Sequence, residues 1–158
     1  MQSLLATAAQ IGERLRMRGE RVAVVESSAG GLIAAALLAQ PGASAFFLGG
    51  AVVYTRQARE ALLGITLADM SGIRSASEPY ALLLAHRLRQ RLGATWGLAE
   101  TGAAGPAGNS YGDAAGHSCF AVVGPAESVL TIESGSTDRQ ANMRLFASTA
   151  LTLLNEKL

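Results

Sequence analysis

The stretch Arg21–Gln40, RVAVVESSAGGLIAAALLAQ, decides the architecture. Its opening, Arg21–Val25, is a run of valines around one alanine with no polar alternation, the pattern of a strand buried on both faces. Leu32–Gln40 is rich in alanine and leucine and is stopped by Pro41-Gly42, which reads as a helix. Between them Glu26-Ser27-Ser28-Ala29-Gly30-Gly31 leaves room only for a tight, glycine-dependent turn. Strand, Gly-rich turn and helix in that order form the βα unit of an α/β fold.

Outward from that unit the same grammar continues. Leu4, Leu5, Ala8, Ile11 and Leu15 recur at helical spacing, and Gly19 predicts a helix end near Arg18. Gly50–Tyr54 reads as a second strand and Gln57–Leu63 as a helix closed by Gly64. Ser77–Leu92 opens with an N-cap serine and a proline in the first turn, then keeps an amphipathic period. Thr95–Ala99 is a third strand running into a loop over Glu100–Asp113. His117–Val123 and Ser128–Ile132 make a hairpin around Gly124-Pro125, and Asp138–Leu154 is the last helix. The expected fold is a single domain over residues 1–158, an α/β/α sandwich with a mixed, mainly parallel sheet.

Composition narrows the function classes. With 13 basic against 12 acidic residues and a net charge of +1, no broad field attracts nucleic acid or an anionic membrane. Aromatics are 5% of the chain, too few for a base-stacking platform. The longest apolar run, Leu32–Ala39, falls well short of the ~20 residues of a membrane span. Met1–Met17 is interrupted by Gln10, Glu13, Arg14 and Arg16 and does not read as a signal peptide. Cys119 is the only cysteine, which excludes an intrachain disulfide and zinc sites built on several cysteines. These features lead to the expectation of a cytoplasmic protein with no membrane and no nucleic-acid partner, and nothing in them calls for a metal or a cofactor.

Three loops follow the predicted strands: Glu26–Gly31, Tyr54–Arg56 and Glu100–Asp113. In an open α/β sheet such loops line one ligand pocket beyond the carboxyl ends of the strands; each read alone is also an ordinary turn. Ser27 and Ser28 are candidates for the N-cap of the following helix. Either is also a candidate nucleophile whose oxyanion the helix N–H groups would steady. Thr101–Gly108, TGAAGPAG, lacks the GK[ST] of a P-loop and the GxGxxG spacing of a dinucleotide site, yet suits a nest of backbone N–H groups for a phosphate. Arg139 opens the last helix as a candidate anion ligand or as a solvated terminal charge. His86 sits mid-helix among leucines and reads as structural or surface; His117, just past the Gly-rich loop, is the histidine better placed for a pocket.

ESSAGG (Glu26–Gly31), GGAVVYTRQAREALLGI (Gly49–Ile65), SEP (Ser77–Pro79), TGAAGPAG (Thr101–Gly108) and STDR (Ser136–Arg139) occur in the order of the CinA C-terminal domain family and resemble its motifs ESCTGG, VxYSNxxKxxxLGV, VSEP, [ST]GIAGPxGG and GDR. The resemblance covers nearly the whole chain. It implies a metal-independent amidase resembling serine/lysine hydrolases, which converts nicotinamide mononucleotide to nicotinate mononucleotide and ammonia. It further implies a small nucleotide ligand and self-association into a homo-oligomer. By position, Ser27 matches the nucleophile, Tyr54 the assisting tyrosine and Thr101 with Gly102 the loop lining the site. Gly30, Gly31 and Gly105 fall in its binding loops, and Arg139 matches a phosphate ligand.

The sequence departs from these motifs where the chemistry matters. The lysine expected as general base is Arg59, and a guanidinium is always protonated, so it cannot take the serine proton. Ala29 stands for the motif threonine, and Thr137-Asp138 for the glycine-aspartate of GDR. His117 and Tyr54 are the candidates for a substitute base. The resemblance therefore implies an amidase-like protein with activity weakened, altered or lost. The alternative is a non-catalytic nucleotide-binding or assembly module.

Overall fold

A computed structural model describes residues 1–158. The elements are α1 (Gln2–Arg18), β1 (Val22–Glu26), α2 (Leu32–Leu38), β2 (Phe47–Val52), α3 (Arg56–Leu63), α4 (Glu78–Leu92), β3 (Trp96–Gly102), β4 (His117–Val123), β5 (Ser128–Glu133) and α5 (Arg139–Lys157). One sheet runs in the order β2-β1-β3-β4-β5. β1 is parallel to β2 and β3, whereas β4 is antiparallel to β3 and to β5. Only β4 therefore opposes the common direction, and the sheet is mixed and mainly parallel as the sequence predicts.

Alternation along the strands divides the core. Val22 and Val24 face α1, α2 and α5, where Ile11, Leu15, Ile33, Leu37, Phe146 and Leu151 close one layer with Trp96 and Phe120. Ala23 and Val25 face the other way, onto Leu63 of α3 and Tyr80, Leu84 and Leu88 of α4. Small residues set how closely α4 approaches: a Cβ on Gly97 would run into the Ala85 carbonyl and the Val123 side chain.

Several boundaries differ from the sequence reading for tertiary reasons. β2 begins at Phe47 rather than Gly50, because Phe47 pairs with Val22; the strand ends at Val52, before Val53 and Tyr54. α2 ends at Leu38, and the Gln40 side chain turns back to donate to the Leu5 and Ala36 carbonyls. Glu100, Thr101 and Gly102, expected in a loop, continue β3 by pairing with Phe120, Cys119 and Ser118. α5 runs on to Lys157, three residues beyond the expected end.

Candidate functional site

The carboxyl ends of the parallel strands β2, β1 and β3 emerge at one edge of the sheet. There a cavity of about 570 Å³ is lined by Ser27, Tyr54, Arg59, Tyr80, Thr101 and Gly102, among others. That volume is ample for a small ligand, and the place is the one where open α/β sheets bind theirs. All three loops predicted from the sequence contribute. The further wall supplied by residues between Leu67 and Ala76 was not foreseen, and it brings in Arg74; Tyr111 and Asn109 complete the third loop's contribution.

The turn before α2 is organised by two carboxylates rather than by serine caps. Glu26 accepts from the backbone N–H of Gly31 (2.9 Å), Ile33 (3.1 Å) and Ala34 (2.8 Å). Its side chain thus supplies the anion that the helix N-terminus favours. Neither Ser27 nor Ser28 caps α2, and the helix amides expected to steady an oxyanion are already engaged. Glu100, fully buried at the end of β3, accepts from the N–H of Ser27 (3.1 Å) and Ala29 (2.8 Å) and from the hydroxyls of Ser28 and Ser118 (3.2 Å). Burial pushes both carboxyls above their ordinary range; the hydrogen bonds oppose that shift, and in Glu26 the nearby Glu100 adds to it. Glu100 thus holds the Ser27 turn and Glu26 the start of α2; an acid at the end of each of two apolar strands is the sequence signal for them.

Ser28 is buried and committed to Glu100, so the accessible serine is Ser27, whose hydroxyl makes no hydrogen bond in the structure. Gly30 and Gly31 do not line the cavity. They adopt left-handed backbone (φ +67° and +98°), and a Cβ on Gly30 would meet the Met143 methyl at 2.9 Å, so these glycines shape the turn.

Arg59 lies in α3, which Thr55 caps by accepting from Ala58 N–H. The helix turns Arg59 inward, where it is only 5% exposed and lines the same cavity as Ser27. Its guanidinium carbon sits 5.8 Å from the centre of the Tyr80 ring, a cation–π contact. No carboxylate pairs with it, and its Nε is buried without a partner. Arg59 is thus a wall of the pocket and not a solvated helix charge.

Arg139 and Gly105 sit beside the cavity, outside its lining. Arg139 donates to the Gly105 carbonyl (2.6 Å) and to the Tyr54 hydroxyl (3.2 Å), tying the third loop to the second. Tyr54 itself is 60% exposed at the cavity mouth. Asn142, buried in α5, reinforces the arrangement by donating to the carbonyls of Ala104 and Ser136 (both 2.8 Å) and accepting from Ser134 (2.6 Å).

His117 does not reach the pocket. Its Nδ1 meets the Glu133 carboxylate and its Nε2 the Ala76 carbonyl (2.9 Å), with Asp113 3.7 Å away. Burial alone would lower its pKa, but these acceptors outweigh burial and raise it. A histidine donating from both nitrogens has no lone pair for Ser27, so it is no substitute base. It braces Ala76, a pocket-lining residue in left-handed backbone at φ 53°. His86 is a half-exposed partner of Glu127 (3.0 Å). No group of three or more His, Cys, Asp or Glu side chains is placed to hold a metal, and no helix is long and apolar enough to cross a membrane.

Comparison with known proteins agrees with the fold. Residues 5–158 match the model of the CinA C-terminal domain. A CinA-like protein of Anaeromyxobacter sp. (strain K) is 40% identical over 141 residues, 89% of this chain and 35% of its own. One from Prochlorococcus marinus (strain MIT 9313) is 44% identical over 111 residues, 70% of this chain and 26% of its own. The matched region therefore spans only between about a quarter and a third of the length of these relatives. Among solved structures, a competence-damaged protein (CinA) superfamily member from Escherichia coli superposes with a TM-score of 0.91 at 26% identity, covering 98% of this chain and 90% of that one. A competence/damage inducible protein from Agrobacterium tumefaciens gives 0.85 at 31% identity, covering 96% and 93%. The chain belongs to the CinA C-terminal domain family.

Proposed function

We propose that the cavity binds a pyridine mononucleotide, and that Arg59 suppresses the hydrolysis of the nicotinamide mononucleotide carboxamide implied by the resemblance to family amidases. Ser27 stands at the position of the nucleophile, with Tyr54 and Thr101 beside it. Arg139 is the phosphate ligand of this reading, at the mouth where Tyr54 is exposed.

The chemistry sets what is missing. Attack of the Ser27 oxygen on the carboxamide carbon forms a C–O bond and frees the hydroxyl proton, which a base must take and later hand to the departing ammonia. A neutral lysine does both; a guanidinium does neither. The buried acids nearest Ser27 are held by the amides and hydroxyls of the turn, and His117 is turned away. The observation that carries the reading is the placement of Arg59 in the wall of the cavity that holds Ser27, with no proton acceptor bonded to the serine hydroxyl.

Two measurements on the intact chain test it. Titration calorimetry with nicotinamide and nicotinate mononucleotides is expected to give heat of binding, and no heat from either at millimolar ligand refutes the ligand assignment. Ammonia release from nicotinamide mononucleotide is expected to be no faster than for Ser27→Ala. Ser27-dependent release at an ordinary enzymatic rate, ~1 per second or more, refutes the suppression.

A further inference from the structure

The cavity holds a buried cation that nothing in the protein neutralises. Three arginines line it, and no aspartate or glutamate does. Arg74 is matched by Asp113 through two contacts (2.6 and 3.1 Å), and Arg56 stands exposed at the rim. Arg59 is different: it is almost wholly buried, no salt bridge engages its guanidinium, and its Nε has no partner. The Tyr80 ring face at 5.8 Å offsets part of its charge, and the Tyr80 hydroxyl lies within its reach, but neither brings a negative charge. An unpaired buried charge is costly, and a fork of planar donors facing a cavity is a receptor for a planar anion.

We infer that Arg59 makes this pocket a receptor for an aromatic carboxylate, which takes the pyridine acid in preference to the pyridine amide. The identity of the ring rests on the pyridine-mononucleotide reading above; the anion preference rests on Arg59 alone. A carboxylate presents two equivalent acceptor oxygens to the two N–H groups of a guanidinium edge. A primary carboxamide presents one oxygen and one NH₂, so one side of the pair sets hydrogen against hydrogen. The discrimination is thus built from an attraction to the acid and a repulsion of the amide. The same substitution that removes the base converts the site from one that would process the amide to one that retains the acid.

The test is calorimetric titration of the full chain with nicotinate mononucleotide and nicotinamide mononucleotide, in wild type and Arg59→Gln, with a thermal melt to verify folding. The wild type is expected to bind the acid about tenfold or more tightly than the amide, as a charge-assisted pair allows. Gln offers one donor and one acceptor, so in Arg59→Gln the preference should vanish or reverse. Equal affinities in the wild type overturn the inference even if the variant fails to fold, as does a preference that survives in Arg59→Gln. Benzoate separates the two readings. If neither mononucleotide binds yet benzoate binds in an Arg59-dependent way, the pyridine-nucleotide reading falls and the carboxylate site stands. If inorganic phosphate displaces bound benzoate, which carries no phosphate group of its own, Arg59 reads phosphate and the carboxylate assignment is overturned.

Discussion

Glu100 offers a graded test of how the Ser27 turn is held. Its Oε2 takes the two backbone N–H groups of Ser27 and Ala29, and its Oε1 takes the hydroxyls of Ser28 and Ser118. Glu100→Gln can place its carbonyl oxygen against the amides and its NH₂ against the hydroxyls, which rotate to accept. The Ser118 hydroxyl then keeps the Thr101 carbonyl, 3.3 Å away, as its own acceptor. What is lost is charge assistance, about 1 kcal/mol. Glu100→Ala instead leaves the buried Ala29 N–H and the half-buried Ser27 N–H without acceptors at up to ~1–3 kcal/mol each, together as much as ~2–6 kcal/mol. Against a total stability of ~5–15 kcal/mol the alanine variant should be severely destabilised while the glutamine variant stays folded. Urea denaturation reads the difference as a shift in midpoint at unchanged slope. A glutamine variant as unstable as the alanine one, or an alanine variant within ~0.5 kcal/mol of wild type, would refute the assignment of these bonds.

Three further outcomes follow from named contacts. Asn142→Ala strips acceptance and donation from Ser134, Ser136 and Ala104 in a buried site and should cost ~2–4 kcal/mol by urea titration, whereas the exposed Arg144→Ala should cost under ~0.5 kcal/mol. His117 has a raised pKa in the fold, so its protonation favours the folded state. That contribution is complete below the unfolded value of ~6.5 and is lost as pH rises through the higher folded value. Wild-type urea midpoints should therefore drop from pH 6 to pH 9 more than those of His117→Gln, and parallel profiles would contradict it. Arg139→Ala should weaken a pyridine mononucleotide more than the corresponding nucleoside in calorimetric titration; equal losses would remove Arg139 from the phosphate role.

The βα unit at Arg21–Gln40 was legible because a buried parallel strand and its turn are specified locally: apolar residues without alternation, then glycines in left-handed backbone. The end of β3 was not. Glu100–Gly102 carries an acid and a glycine that resemble a loop, and only antiparallel pairing with β4, nearly twenty residues on, makes it strand. Phe47 was missed at the start of β2 for a similar reason, since its partner Val22 lies on another element. Within the site, Ser27, Tyr54, Arg59, Thr101 and Gly102 were named from the sequence and converge on one cavity. Gly30, Gly31, Gly105 and Arg139 lie beside the cavity rather than in its lining, where they shape or brace the loops around it. The serine caps were misassigned because Glu26 reaches over its own turn to the amides of Gly31, Ile33 and Ala34, a bond no spacing rule marks. Tyr80, Arg74 and Tyr111 carried no local signal, because helix α4 and the segment before it meet the strand ends only in the folded chain.

Arg59 stands where a general base is missing. A lysine at that site would be buried in a cavity wall with no carboxylate in the lining, and desolvation of that kind depresses an ammonium pKa and frees the lone pair. A positioned general base contributes ~10²–10⁴-fold in rate. Ammonia release from nicotinamide mononucleotide by Arg59→Lys should therefore exceed that of the wild type by at least about 100-fold, rise with pH, and disappear in the Arg59→Lys, Ser27→Ala double variant. A folded Arg59→Lys chain no faster than the wild type, or one that stays fast without Ser27, would contradict it.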